Sequence, residues 1–155
     1  KIVLNSNAFR NNMLVVEVAR KYGSQCVVVS IDVKKSNTGE YKVFIDNGQV
    51  DTGMVLEDWL TRVQELGAGE IFLNSIDKDG MLDGYDKELI GLASRKVDIP
   101  LIVCGGAGAW IHLLDAFDGG ADGLLRGGEA FANPSLRAAA LSEIDDIQNK
   151  QLFGG

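Results

Sequence analysis

Val27-Val28-Val29-Ser30-Ile31-Asp32 and Ile71-Phe72-Leu73-Asn74-Ser75-Ile76-Asp77-Lys78-Asp79-Gly80 are apolar runs that pass straight into acids. Pro100-Leu101-Ile102-Val103-Cys104 passes into Gly105-Gly106-Ala107-Gly108 in the same way. Short apolar runs without polar alternation are the pattern of parallel strands covered on both faces, which puts the acids and glycines at the carboxyl ends of the strands. Those ends are where α/β folds carry their chemistry.

Between these runs the apolar period changes to that of helices. Asn12 to Tyr22 places Leu14, Val15, Val18, Ala19 and Tyr22 on one face, with Gly23 as its stop. Helices are expected again at Leu56 to Leu66, stopped by Gly67, then at Asp86 to Val97, Ala109 to Phe117 and Ser135 to Ile147. Strands are expected at Lys1 to Asn5, Cys26 to Ile31, Glu70 to Ser75, Pro100 to Cys104 and Gly123 to Leu125. Lys42-Val43-Phe44-Ile45 followed by Asn47-Gly48 reads as a small hairpin inserted in the series.

Five strands alternating with helices demand a parallel sheet with right-handed crossovers. A weak internal repeat, Gly23 through Asp32 against Gly67 through Asp77, favours part of a β/α barrel over a doubly wound nucleotide-binding sheet. No glycine-rich fingerprint follows the first strand. The 155 residues fall short of the roughly 250 that a complete eight-stranded barrel needs. The fold class is thus α/β, a partial or half-type TIM (β/α) barrel over residues 1–147, with a flexible tail at 148–155. The chain starts at Lys1 already in a strand, and a portion upstream is expected to be missing.

A net charge of -7 argues against a nucleic-acid partner. It also means that an anionic ligand needs a local pocket of backbone donors and a few cations. No apolar run approaches the ~18 residues of a membrane span. Cys26 and Cys104 read as buried free thiols of a cytoplasmic protein. No metal-ligand spacing is present around them, and neither a metal nor another cofactor is expected.

Gly105-Gly106-Ala107-Gly108 precedes a helix, so its amides are available to an anion, and Gly127-Gly128 repeats the arrangement after the next strand. Either run alone also fits a tight turn. Together, on neighbouring final strands, they form the usual phosphate cradle of β/α barrels. Asp32 and Asp79 end successive strands and would face one cavity, where a carboxylate can act as general acid or base. Helix capping, or ion pairs with Lys34, Lys35 or Lys78, is the competing reading. Asp77 reads as part of a local loop network with Lys78 and Asp79. Trp59 and Trp110 read as helix packing residues, and His112 as a surface or packing residue within a helix.

These segments, together with Gly67-Ala68-Gly69-Glu70-Ile71, Gly84-Tyr85-Asp86 and Cys104-Gly105-Gly106-Ala107-Gly108, resemble the cyclase subunit of imidazole glycerol phosphate synthase from Lys1 to about Asp122. The resemblance implies a β/α barrel that takes ammonia from a glutaminase subunit at its bottom. At its top it closes an imidazole ring on a bis-phosphorylated ribonucleotide, releasing imidazole glycerol phosphate and an aminoimidazole carboxamide ribotide. It further implies that Asp32 is one of two catalytic aspartates, and that Asn5, Asn74, Asp79 and Gly80 contact substrate. Gly105, Gly106, Gly127 and Gly128 are implied to hold phosphate, and Lys1 and Glu70 to lie at the ammonia entrance.

The sequence departs from that pattern in three places. The first three βα units, with the other catalytic aspartate, are absent. The segment after Leu125 differs from the family's usual ending, leaving Gly128 a backbone donor without a hydroxyl. Asn74 and Cys104 replace hydroxyl residues, and Val29 to Lys35 with Cys104-Gly105-Gly106 resemble a related branch that works with an amidotransferase to install an acetamidino group on surface-polysaccharide sugars. A noncatalytic phosphate-binding half-barrel is the remaining reading. Open strand edges in such a half-barrel lead to an expectation of self-association.

Overall fold

The computed structural model describes residues 1–126 and 129–132. The predicted helix at Ser135 to Ile147, the tail at 148–155 and the glycines Gly127 and Gly128 lie outside the described residues.

The parallel strands are β1 (Ile2–Leu4), β2 (Val27–Lys35), β5 (Glu70–Ser75), β6 (Leu101–Cys104) and β7 (Gly123–Arg126). Between β1 and β2 lie α1 (Ser6–Arg10), α2 (Met13–Tyr22) and a 3-10 turn at Ser24–Cys26. The hairpin β3 (Tyr41–Ile45) and β4 (Val50–Val55) and then α3 (Leu56–Glu65) connect β2 to β5. Helices α4 (Lys87–Ser94) and α5 (Trp110–Asp118) connect β5 to β6 and β6 to β7. With a last strand, β8, at Glu129–Ala132, the sheet order is β4-β3-β2-β5-β6-β7-β8, with β1 beside the first half of β2. Five parallel strands with intervening helices make a partial β/α barrel. Strand β8 (Glu129–Ala132), not marked by the sequence pattern, runs antiparallel to β7.

The predicted hairpin is present and larger than expected. Strand β2 continues past Asp32 to Lys35, and β3 pairs antiparallel with that extension, Asp32 opposite Phe44 and Lys34 opposite Lys42. Asp46, Asn47 and Gly48 all adopt positive φ at its turn, a conformation for which Asn, Asp and Gly carry the least steric cost.

One correction concerns how the strands are covered. They are not equally buried on both faces. Ile31, Val33, Ile71, Leu73, Leu101 and Val103 are buried, and these alternate residues form one layer with Leu56, Leu60, Leu89, Ile90 and Leu113 of the helices. The opposite face carries Ser30, Asp32, Phe72, Asn74, Ile102 and Cys104, all half-buried. Helices pack on a single face because every right-handed crossover returns on the same side. The other face is the inner wall of the barrel, and there the polar side chains of the strand ends are gathered.

Cys26 and Cys104 are also half-buried rather than enclosed. Cys26 closes the 3-10 turn ahead of β2, and Cys104 points to the inner wall at the end of β6. Asp86 caps α4 by accepting from the Leu89 amide and also takes the Tyr41 hydroxyl on both carboxylate oxygens. Burial, then that hydrogen bond, pushes the Tyr41 hydroxyl well above the usual phenol range. Trp59 is buried and stacks at a tilt on Phe9, with centroids 4.9 Å apart, so its packing role holds. Among the described residues no helix is long and apolar enough to cross a membrane.

Candidate functional site

The parallel register aligns Asp32, Asn74, Cys104 and Leu125 in one row across β2, β5, β6 and β7. This row is the last inner-face layer that these four strands share. Successive residues on a strand face opposite sides, so the in-register offsets bring residues far apart in sequence onto one face at one height.

Asp32 is held from two sides. Asn74 Nδ2 donates to Asp32 Oδ1 at 3.0 Å, and Asn5 Nδ2 donates to Asp32 Oδ2 at 3.0 Å. Asn5 follows β1 and is itself positioned by Ser30 Oγ, which accepts from its amide at 3.2 Å, and by Ser6 Oγ, which donates to its Oδ1 at 3.0 Å. Ser6 and Ser30 escaped the sequence reading. The only signal for Ser30 was its place two residues before Asp32 on the same strand face.

The ion pairs set against a functional role for Asp32 are not formed: among the described residues, Lys35 pairs with Glu88 and Lys78 with Asp83. Asp77 does not join a local network with Lys78 and Asp79, because its carboxylate accepts from the Lys35 backbone amide at 2.8 Å. That bond ties the loop after β5 to the end of β2, in line with the parallel pairing of the two strands. Asn74 Oδ1 is buried and has no hydrogen-bond partner among the described residues. It is a buried acceptor left unsatisfied on an inner-wall side chain.

A cleft of about 140 Å3 opens beside this row, lined by Asp79, Gly80, Leu82, Cys104, Gly105, Gly106, Ala107 and Leu125. Gly105 and Gly106 adopt φ of 96° and 104°. The Gly84 amide donates to the Gly106 carbonyl at 2.8 Å, so the loop after β5 lies directly on the glycine turn. His112 on α5 accepts at Nδ1 from the Gly108 amide at 3.1 Å, a capping role rather than plain packing. Asp79 and the glycines share this cleft, whereas Asp32, expected to face one cavity with Asp79, stands two row positions from Cys104 and is not among the described lining residues. Among the described residues, no lysine or arginine lines the cleft.

Burial first, and then the negative charges of Asp79 and Asp32, hold the Cys104 thiol above its ordinary pKa. Alkylation of Cys104 is therefore expected to be slow at neutral pH and to accelerate only above the range of an ordinary thiol, because the thiolate is the nucleophile. Asp79→Asn removes a cause of the upward shift and moves the alkylation profile to lower pH. A profile unchanged by Asp79→Asn would separate the two side chains. Mass spectrometry of iodoacetamide-treated protein across pH reads this directly.

At the other end of the inner wall, Lys1 and Glu70 form an ion pair, with the Glu70 side chain mostly buried and that of Lys1 half-exposed. Strand starts β1 and β5 position them, far from Asp32 along the strands. Among the described residues no group of three or more His, Cys, Asp and Glu side chains is placed to hold a metal ion.

The family model described as histidine biosynthesis protein matches residues 1–134. Over 126 residues the chain is 47% identical to the imidazole glycerol phosphate synthase subunit HisF of Wolinella succinogenes, covering 81% of this chain and 50% of that protein. Over 117 residues it is 48% identical to the same-named subunit of Hydrogenobaculum sp., covering 76% of this chain and 46% of that protein. A Thermotoga sp. subunit of that name is 45% identical over 125 residues. The chain spans about half the length of the curated relatives it matches. With an inner-wall carboxylate at the strand ends and a glycine turn beside it, the chain belongs to the histidine biosynthesis protein family.

Proposed function

We propose that this chain provides the carboxyl-terminal half of a cyclase-type barrel that forms imidazole glycerol phosphate from a bis-phosphorylated ribonucleotide and ammonia. The observation that carries this reading is the clamping of Asp32 between Asn5 and Asn74 at the strand ends. A carboxylate fixed at both oxygens on the inner wall is placed to take and return protons during ring closure. Asn5, Asn74, Asp79 and Gly80 surround the position where the reacting atoms would sit, and the amides of Gly105 and Gly106 lie beside it as phosphate donors. Gly127 and Gly128 extend the same role by the family resemblance alone. The relatives' names support the histidine-pathway branch over the polysaccharide-modifying one.

In this reading the Lys1–Glu70 pair borders the entry for ammonia from a glutaminase subunit, and the enzyme works in the cytoplasm, in keeping with the unpaired Cys26 and Cys104. The test is to combine the chain with the amino-terminal half of the Hydrogenobaculum subunit and assay imidazole glycerol phosphate with ammonium as nitrogen source. Product formation supports the reading; a folded, complemented barrel that binds the ribonucleotide without turning it over overturns it.

Alone, the chain is proposed to self-associate. Among the described residues strand β1 has a neighbour on one side only, and Ile2 and Val3 on it are 36% and 62% exposed. Unpaired backbone beside apolar side chains is a template for another strand. Sedimentation velocity is expected to show a concentration-dependent dimer; a monomer at every concentration, melting cooperatively, would contradict it.

A further inference from the structure

The inner face of the sheet does not end at Asp32. It continues onto the hairpin, and there the charge changes sign. Lys34 lies two residues beyond Asp32 on the same strand face, directly opposite Lys42 on β3, while Phe44 stands opposite Asp32. Lys35, one residue on, faces the other way and is engaged by Glu88, with its ammonium over the Tyr41 ring. Around Lys34 and Lys42 is a groove of about 290 Å3 lined by Lys34, Lys35, Ser36, Asn37, Lys42, Phe44 and Asp51.

Two features show that this groove is more than a solvated surface. Like charges directly opposite on antiparallel strands destabilise the pair, and this chain carries 22 acidic residues against 15 basic ones, yet two lysines face each other here. Their existing neutralisation is slight. Lys42 meets Glu40 at 3.2 Å, and that carboxylate is half-exposed. Lys34 makes no ion pair among the described residues. Asp51 stands in the wall, with Oδ1 taken up by the Gly53 amide at 2.8 Å. The glycine cleft offers amides and, among the described residues, no lysine or arginine; the groove supplies cations on the same face of the sheet. Two residues of strand rise place Lys34 roughly 7 Å beyond Asp32.

We propose that the Lys34–Lys42 groove is a binding site for the phosphate group of a small phosphate monoester, a site separate from the glycine cleft. The two ammonium groups contact the phosphate oxygens, the hydroxyl of Ser36 and the amide of Asn37 donate from the rim, and Phe44 packs against the carbon skeleton of the ester. A doubly charged phosphate resolves the like-charge pair, which an uncharged ligand does not. The site does not depend on which reaction the barrel performs.

The test is a titration of the full chain, at ionic strength held constant with potassium chloride, with ribose 5-phosphate and in parallel with ribose. Backbone amide shifts are followed by NMR. Saturable shifts at Lys34, Ser36 and Phe44 with the phosphate ester, and none with ribose, are expected. The double variant Lys34→Gln, Lys42→Gln is expected to weaken that response by roughly tenfold or more, since two charge-assisted contacts are lost. The double variant Lys34→Arg, Lys42→Arg retains it. The Gly106 amide reports the glycine cleft independently, and its response is unchanged in all variants. Both lysines lie outside the core, so an unaltered spectrum beyond the hairpin certifies the fold. Hairpin shifts that fail to saturate, that ribose reproduces, or that survive the glutamine double variant overturn the proposal.

Discussion

Asp32→Asn is expected to reduce ammonia-dependent ring closure by roughly 10^2- to 10^4-fold in the complemented barrel, the usual size of a general acid–base contribution. The structure explains why this loss would be chemical rather than structural. Asp32 receives one amide donor on each oxygen, from Asn74 and from Asn5. The introduced amide keeps one oxygen as acceptor. Its new N–H groups face Asn74, whose Oδ1 is buried and without a partner among the described residues. Rotating the Asn74 amide turns that acceptor toward the new donor and restores both bonds. The stability cost should then stay at about 1 kcal/mol, the net worth of an ordinary hydrogen bond. Steady-state rates with saturating ammonium, read beside urea unfolding midpoints, separate the two effects. Activity within about threefold of the parent, against the 10^2-fold minimum for a proton-transfer group, would remove Asp32 from the chemistry.

The second large effect is structural. Gly106→Ala is expected to cost about 3 kcal/mol or more, combining positive-φ strain with overpacking of a close backbone contact. A Cβ at Gly106 would stand 2.1 Å from the Gly84 carbonyl oxygen, and the residue has φ of 104°. Neither group can yield cheaply, because the Gly84 amide and the Gly106 carbonyl are already bonded to each other. Gly39→Ala is the matched control: its φ is 89°, and a Cβ there meets nothing within 4 Å. Its cost should be the conformational part alone, about 1 kcal/mol. Urea unfolding of the two variants isolates the steric contribution. Equal losses would show that the loop after β5 does not sit on the glycine turn in solution.

The two predictions touch parts of the molecule that were unequally legible in the sequence. Asp32 and the Gly105–Gly108 turn were readable because each follows an apolar strand run, and a parallel sheet places all such ends at one edge; Asn74 was legible only through the family resemblance. Helix stops were readable for a local reason: Gly23 and Gly67 have φ of 88° and 101°, which side-chain-bearing residues rarely adopt. The hairpin was partly readable. Its Asn47-Gly48 turn is a local signal, whereas the continuation of β2 to Lys35 is set by its partner strand β3. Strand pairing also placed Lys34 opposite Lys42, and no property of either residue alone announces that neighbour.

What the sequence by itself determined is the βα rhythm, the half-barrel class and the set of residues at the strand ends. These follow from the spacing of apolar residues and from backbone conformations that few residue types accept. The tertiary structure alone decided how the set is wired. Register made Asp32 the acceptor of two amides rather than the partner of a lysine, gave Asp77 the Lys35 amide, and left the Asn74 side-chain carbonyl without a partner among the described residues. It also put helices on one face of the sheet only, so that residues read as core line an inner wall instead. Pairings between residues tens of positions apart depend on strand register and crossover handedness, and these are settled by packing the whole sheet at once.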